Sequence, residues 1–190
     1  VNDDKPCTTC NSCQLIAHGV HPDLHIVSTE VYEANCDPKF GNHSLRYSDS
    51  VLSKTTQKSQ LRTSITVDRI RAVTDSLGKS AGVASNKVCL IYPADSLNLN
   101  GANALLKALE EPVGGTYFLL VSSSPGNLPS TIRSRCSRLD LNNPTNPESI
   151  EWLTAVHKVD SETAQQLITH GYGPYEVLQM NTKEVLTAHQ

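Results

Sequence analysis

Long apolar runs are missing from these 190 residues, and with them the ~20-residue stretch that a membrane-spanning helix requires. The opening residues, Val1 to Pro6, are polar and hold no apolar segment of a secretory leader. A cytoplasmic protein with no membrane contact is expected. Net positive charge is missing too: the formal charge is −3, so no global field draws the chain to nucleic acid, and only a local basic face stays open. Aromatic residues are scarce, with one Trp and two Phe beside six Tyr, which leaves no stacking platform for single-stranded nucleic acid. Heptads, internal repeats and low-complexity tracts are also absent.

What remains is an ordinary globular composition, 38% hydrophobic and 18% charged, long enough for one sizeable core or a domain with a smaller companion. Six cysteines would suit three disulfides in a secreted chain, but their distribution argues for a reduced, intracellular one. Cys7, Cys10 and Cys13 are clustered, whereas Cys36, Cys89 and Cys136 are scattered. Cys89 sits inside the apolar run Val88-Cys89-Leu90-Ile91, where a buried thiol acts as a small hydrophobe. The chain begins with Val and ends within a helical pattern at Glu184 to Leu186, so a fragment is expected.

The pattern of residues predicts strands alternating with helices, then helices alone. A cysteine-rich knuckle spanning about 5–22 leads through a short helical stretch, Gln14 to His18, to a strand at Asp23 to Val27. Residues 28–64 are polar and lack periodicity; they are expected to form an inserted, partly mobile surface loop, with at most a hairpin. Thr66 can cap a helix whose Val67, Ile70, Val73 and Leu77 share a face, with Gly78 or Gly82 ending it. Lys87 to Tyr92 suits a strand buried on both faces. Gly101 to Glu111 is a helix with the stripe Ala102, Leu105, Leu106, Leu109 and a stop at Pro112. Thr116 to Val121 is another apolar strand, expected to be buried. Pro129 starts a short helix, and Leu139 to Leu141 is a further strand. The expected fold is therefore α/β with a parallel sheet over residues 1–142. A small all-helical domain follows over 143–190, with helices at Pro147 to His157, Ser161 to His170, Pro174 to Met180 and from Thr182 onward.

Two constellations carry chemistry. Cys7, Cys10 and Cys13 stand at C-x-x-C-x-x-C spacing, which brings three thiolates within reach of one ion, and structural Zn²⁺ takes four ligands in a tetrahedron. The fourth ligand lies upstream of Val1 or is Cys36, His18, His21 or Asp3. Redox work is disfavoured because this C-x-x-C does not lie between a strand and a helix of a thioredoxin-like unit. The second constellation is Asn103-Ala-Leu-Leu-Lys-Ala-Leu-Glu110-Glu111-Pro112, followed by Ser122-Ser-Ser at a strand's carboxyl end and then by Ser134-Arg135-Cys136. Open α/β sheets place ligands at such carboxyl ends. Periodicity alone would leave Arg135 a surface arginine.

That long run, ending in Ser-Arg-Cys, resembles the signature of bacterial clamp-loader AAA+ subunits. The cysteine knuckle resembles their zinc module, in which a further cysteine precedes the triplet; here that place falls just before Val1. The helix after Thr66 and the helical tail are similar to the same family, so the likeness covers nearly everything except 28–64. It implies a P-loop-type AAA+ parallel sheet truncated at its start, a structural zinc site, a helical lid domain and a missing collar domain. It also implies work with gamma/tau and delta subunits, a sliding clamp and primer-template DNA during replication by DNA polymerase III.

Within that family, a motor subunit closes the strand at Lys87 to Tyr92 with acidic residues that hold Mg²⁺ and polarise water. Here Tyr92 and Pro93 follow instead, and Asp95 lies beyond the proline, where it suits a cap or turn. A Gly-x-x-x-x-Gly-Lys-Ser/Thr loop is absent from these residues, and the Gly171-Tyr-Gly-Pro-Tyr175 turn holds no arginine where active members sense ATP. The resemblance thus implies a member that does not hydrolyse ATP. Arg135 is similar to the family's arginine finger, which reaches the phosphate of a neighbouring subunit. Ser134 then packs or caps, Cys136 fills the interior, and Arg133 and Arg138 are solvated or ion-paired. The rivals are a gamma/tau-type motor with an unusual Mg²⁺ site and a zinc-dependent nucleic-acid-binding module.

Overall fold

The structure is a computed structural model that describes residues 6–36, 38–48 and 61–179. It divides into two compact units, Val1–Arg138 and Leu139–Gln190. In the first unit, α1 (Asn11–Ala17) leads to β1 (Leu24–Val27), α2 (Glu30–Asn35) and α3 (Pro38–Leu45). Then come α4 (Val67–Leu77), β2 (Lys87–Ile91), α5 (Leu99–Glu110), β3 (Thr116–Leu120) and the single turn α6 (Ser130–Arg133).

The three strands form a parallel sheet in the order β1-β2-β3, with Leu24 opposite Val88 and Lys87 opposite Thr116. Parallel pairing follows from the helical crossovers that return the chain to the same end of the sheet. Gly115 immediately precedes the third strand at φ +68°, where a Cβ would stand 2.7 Å from Asn86 Oδ1. Only glycine fits that approach. The core joins Val27, Cys89 and Ile91 of the sheet to Ile70, Val73 and Leu77 of α4, Ala102 and Leu105 of α5, and Ile132 of α6. These are the helix stripes read from periodicity, and α4 starts after Thr66 and ends at Gly78 as anticipated. The α5 helix begins two residues before the expected Gly101, at Leu99, because Asn98 caps it by accepting from Gly101 N–H at 2.7 Å.

Three expectations are corrected. Residues 30–45 are two helices rather than an irregular insert. Thr29 caps α2 by accepting from Tyr32 N–H, and Glu30 and Glu33 stand in its first turn, where the helix dipole favours them. The buried side chains of α3 are polar, His43 and Ser44, so apolar periodicity carries no signal. The remainder of that segment, 49–60, lies outside the described residues, as do Asp3, Met180 and the expected helix from Thr182. Second, β3 is covered on one side only: Phe118 and Leu120 pack on the core, whereas Tyr117 is 59% and Leu119 52% exposed. It is the last strand of the described sheet. Third, 139–141 forms no strand; Leu139 is 83% and Leu141 81% exposed, and no described strand lies alongside to complete a ladder.

Buried polar groups hold the elements in place. Asp23 accepts from the backbone N–H groups of Gly82, Val83 and Ala84 at 2.6 to 2.8 Å. Burial pushes this carboxyl up, yet those three donors outweigh it and hold it below the usual carboxylate range. Lys87 sends its ammonium to the Leu77 carbonyl at 2.6 Å, closing the end of α4. Arg69 of α4, 1% exposed, donates to the Ser28 carbonyl and to both oxygens of Glu33, at 2.8 and 3.3 Å.

The second unit holds α7 (Asn146–Ala155), α8 (Ser161–Thr169) and α9 (Pro174–Gln179). Thr145 and Glu148 form a capping box that starts α7 one residue ahead of the expected Pro147. Leu153, Ala164, Leu167, Ile168 and Val177 make its core, and Trp152 packs against His157 and Tyr175 with ring centroids 4.3 and 5.1 Å away.

A pH dependence follows from His25, whose Nδ1 pairs with the Tyr47 hydroxyl. Burial first, then the Arg46 charge, lowers its pKa to about 4. The unfolded imidazole titrates near ~6.5 and therefore binds a proton that the folded one refuses. Stability should fall by on the order of 2 kcal/mol as pH drops from ~6.5 towards 4. Urea unfolding across that range should show a flatter slope for His25→Gln.

Candidate functional site

The carboxyl ends of β1 and β2 form one candidate region. After Val27 the chain passes Ser28 and Thr29 into α2, whose two acidic residues turn towards Arg69: Glu33 is hydrogen-bonded to it and Glu30 lies 3.8 Å away. After Ile91 come Tyr92 and Pro93, and the ring of Tyr92 meets Tyr32 edge-on with centroids 4.7 Å apart. Asp95 lies in a single 3-10 turn, Ala94–Ser96, and accepts from the Ser122 hydroxyl at the end of β3. Ser122 Oγ in turn accepts from Ser124 N–H at 2.9 Å. Asp95 thus occupies a turn and also ties the ends of β2 and β3 together, so its carboxylate has a structural partner.

Arg135 follows α6. Its Nε donates to Glu110 Oε1 at 2.7 Å, Nη2 donates to the same oxygen, and Nη1 donates to the Thr131 carbonyl at 2.8 Å. The Arg135 side chain is 32% exposed. Ser134 takes the C-cap position of α6 and donates to the Thr131 carbonyl at 3.2 Å. Cys136 packs on the core, and burial raises its thiol pKa. Arg133 is exposed.

At the other candidate region, Cys7, Cys10 and Cys13 bring their sulfurs within 4.8 Å of one another. The Cys7 and Cys13 sulfurs are 3.7 Å apart, close to the ~3.8 Å separation of two thiolates held at ~2.3 Å on one tetrahedral Zn²⁺. Hydrogen bonds from the Cys10 backbone and side chain, then from Thr9, lower Cys7 to about 6, whereas hydrogen bonds with Cys10 and then Cys7 raise the Cys13 thiol. The donor set fits a zinc-type cation. Of the alternative fourth ligands, Cys36, His18 and His21 stand outside this cluster. Cys36 contacts the Glu33 carbonyl, His18 Nδ1 meets the Gln14 carbonyl, and the buried His21 accepts from Asp23 N–H.

A protein-family model described as DNA polymerase III, delta subunit, matches residues 1–145. The chain belongs to this DNA polymerase III family. Its similarity is to the delta-prime members: it is 33% identical to the DNA polymerase III subunit delta' of Pseudomonas aeruginosa, over 85% of this chain and 41% of that one. To the subunit delta' of Escherichia coli it is 32% identical, over 79% of this chain and 36% of that one. The chain spans about two fifths of the length of the curated delta-prime relatives it matches. A solved structure of a DNA polymerase III gamma subunit-related protein from Thermotoga maritima aligns with TM-score 0.45 and 23% identity, covering 75% of this chain and 51% of that one.

The three cysteines and Arg135 stand out in the sequence as candidates, whereas Glu110 beside Arg135 and Tyr32 beside Tyr92 do not. Glu110 lay inside the quoted motif, yet its partner is 25 positions away, and no local spacing reports such a pair. Tyr32, which meets Tyr92, lies in a polar segment whose sequence reads as an insert.

If the cysteine cluster holds zinc, the purified full-length protein should carry it at neutral pH. Elemental analysis should find about one Zn²⁺ per chain, and Cys10→Ser should lower the occupancy at least ~10-fold under competition with a chelator. Equal occupancy in both would count against the cluster.

Proposed function

We propose that this chain is the core of a delta-prime-type clamp-loader subunit of the DNA polymerase III holoenzyme, one that assists ATP hydrolysis without performing it. In the loader it stands beside a gamma/tau motor and delta. It presents Arg135 in trans to the motor's ATP while the sliding clamp is opened and placed on primer-template DNA. Its cysteine knuckle binds structural Zn²⁺, and its helical unit serves as the lid of the AAA+ fold.

The observation that carries this reading is the chemistry where β2 ends. A water-activating site needs carboxylates there that are free to meet Mg²⁺ and water. The chain places Tyr92 and Pro93 at that point, with Tyr32 packed on Tyr92. The carboxylates nearby already have partners, Glu33 on Arg69 and Asp95 on Ser122. Arg135 is also paired, with Glu110 and the Thr131 carbonyl, but its permanent planar charge is 32% exposed and keeps further N–H donors. A guanidinium of this kind stabilises the charge that moves onto phosphate oxygens during transfer. The family membership supplies the setting, because its delta-prime relatives are named as DNA polymerase III subunits.

Arg135→Ala, placed in a reconstituted loader, should lower ATP turnover at the neighbouring site by at least ~10-fold, given the on the order of 10³ that such fingers can contribute. Subunit assembly by size-exclusion chromatography should stay normal. The full-length protein alone should show no Mg²⁺-dependent ATP hydrolysis; turnover that survives purification from its partners would overturn the reading.

A further inference from the structure

We propose that Glu110 is the positioning residue for Arg135, holding the guanidinium so that its phosphate-facing end is set before a neighbour's nucleotide arrives. This deepens the finger reading above and rests on it.

A guanidinium has five N–H donors in a planar fork. One from Nε and one from Nη2 meet a single oxygen, Oε1 of Glu110. One from Nη1 meets the Thr131 carbonyl at 2.8 Å. Two N–H groups are left, one on each terminal nitrogen, with only a long 3.4 Å contact from Nη1 to Ser134 Oγ. The inner edge of the fork is therefore occupied by the protein, while the outer end keeps the paired donors that suit two phosphate oxygens. An arginine gripped along one edge loses its rotamer freedom before binding, so less ordering is required when phosphate arrives.

A purely stabilising role does not account for Glu110. It is the last residue of α5, where the negative end of the helix dipole disfavours a carboxylate. Its pair with Arg135 has side chains 49% and 32% exposed, and ion pairs this open contribute little to folding. An acid placed against its own helix, with both contacts to one guanidinium, is explained by what it does to that guanidinium.

The test uses the full-length protein in a reconstituted loader, with Glu110→Gln, Glu110→Asp, Arg135→Ala and the Glu110→Gln/Arg135→Ala double variant. ATP kcat and KM, subunit assembly and thermal midpoint are read for each. Glu110→Gln should lower kcat on the order of 10-fold, because a slightly misplaced catalytic group is costly. KM and the melting midpoint should change little. Glu110→Asp should recover part of the rate, and the double variant should be no slower than Arg135→Ala alone. If Arg135→Ala is slow while Glu110→Gln is as fast as the unsubstituted loader, or faster, the positioning role is overturned and the finger stands. If the double variant is far slower than Arg135→Ala, Glu110 acts elsewhere and the proposal is overturned. If Arg135→Ala itself turns over normally, the finger reading falls and takes this inference with it.

Discussion

Around the buried guanidinium of Arg69 the first unit is organised. A permanent charge that is 1% exposed is tolerable only with close, hydrogen-bonded counter-charge. That requirement draws three separate segments together. The Ser28 carbonyl comes from the end of β1, Glu33 comes from α2, and the arginine itself comes from α4. Ser44 of α3 donates to the same Glu33. Removing one partner from such a group typically costs ~3–5 kcal/mol, whereas the intact pair adds little net stability. Through it α2 is tied to the end of β1 and to α4.

The site chemistry inherits that placement. With α2 fixed, Tyr32 reaches Tyr92, and an aromatic contact occupies the end of β2. The acidic residues of α2 are turned to Arg69 rather than towards the sheet's carboxyl edge. Asp95, the remaining carboxylate close by in sequence, is engaged by Ser122. In the proposed function these are the physical reasons for a subunit that lends a charge to its neighbour. Arg135, whose own guanidinium is half committed to Glu110 and Thr131, is the group it would lend. The cysteine knuckle depends on none of this, since its three sulfurs approach one another through local spacing alone.

Legibility tracked how local and how apolar each feature is. Helix α4 was readable because Val67, Ile70, Val73 and Leu77 repeat at the helical period, and all but Val67 are buried in the core. The β2 strand was readable as a short apolar run, although its alternate residues Val88 and Leu90 are only half-buried. The β3 strand was right in type and wrong in environment: an apolar strand looks the same in the sequence whether one face or both are covered. Leu139 and Leu141 alternate as a strand would, but a strand exists only through hydrogen bonds to another. Helices α2 and α3 failed the opposite test, since their inward residues are polar and leave no apolar period to find.

The amino-acid sequence by itself determined the alternation of strand and helix, the three cysteines at metal-binding spacing, the Tyr92-Pro93 ending of a core strand and the arginine after α6. Each is a matter of neighbouring residues, and short-range sterics, periodicity and turn chemistry act over that range. The tertiary structure alone decided which carboxylates are engaged. Glu33 faces Arg69 across 36 positions and Glu110 faces Arg135 across 25. Such pairs form because the folded chain brings together charges that are distant in sequence, the first out of water and the second still open to it.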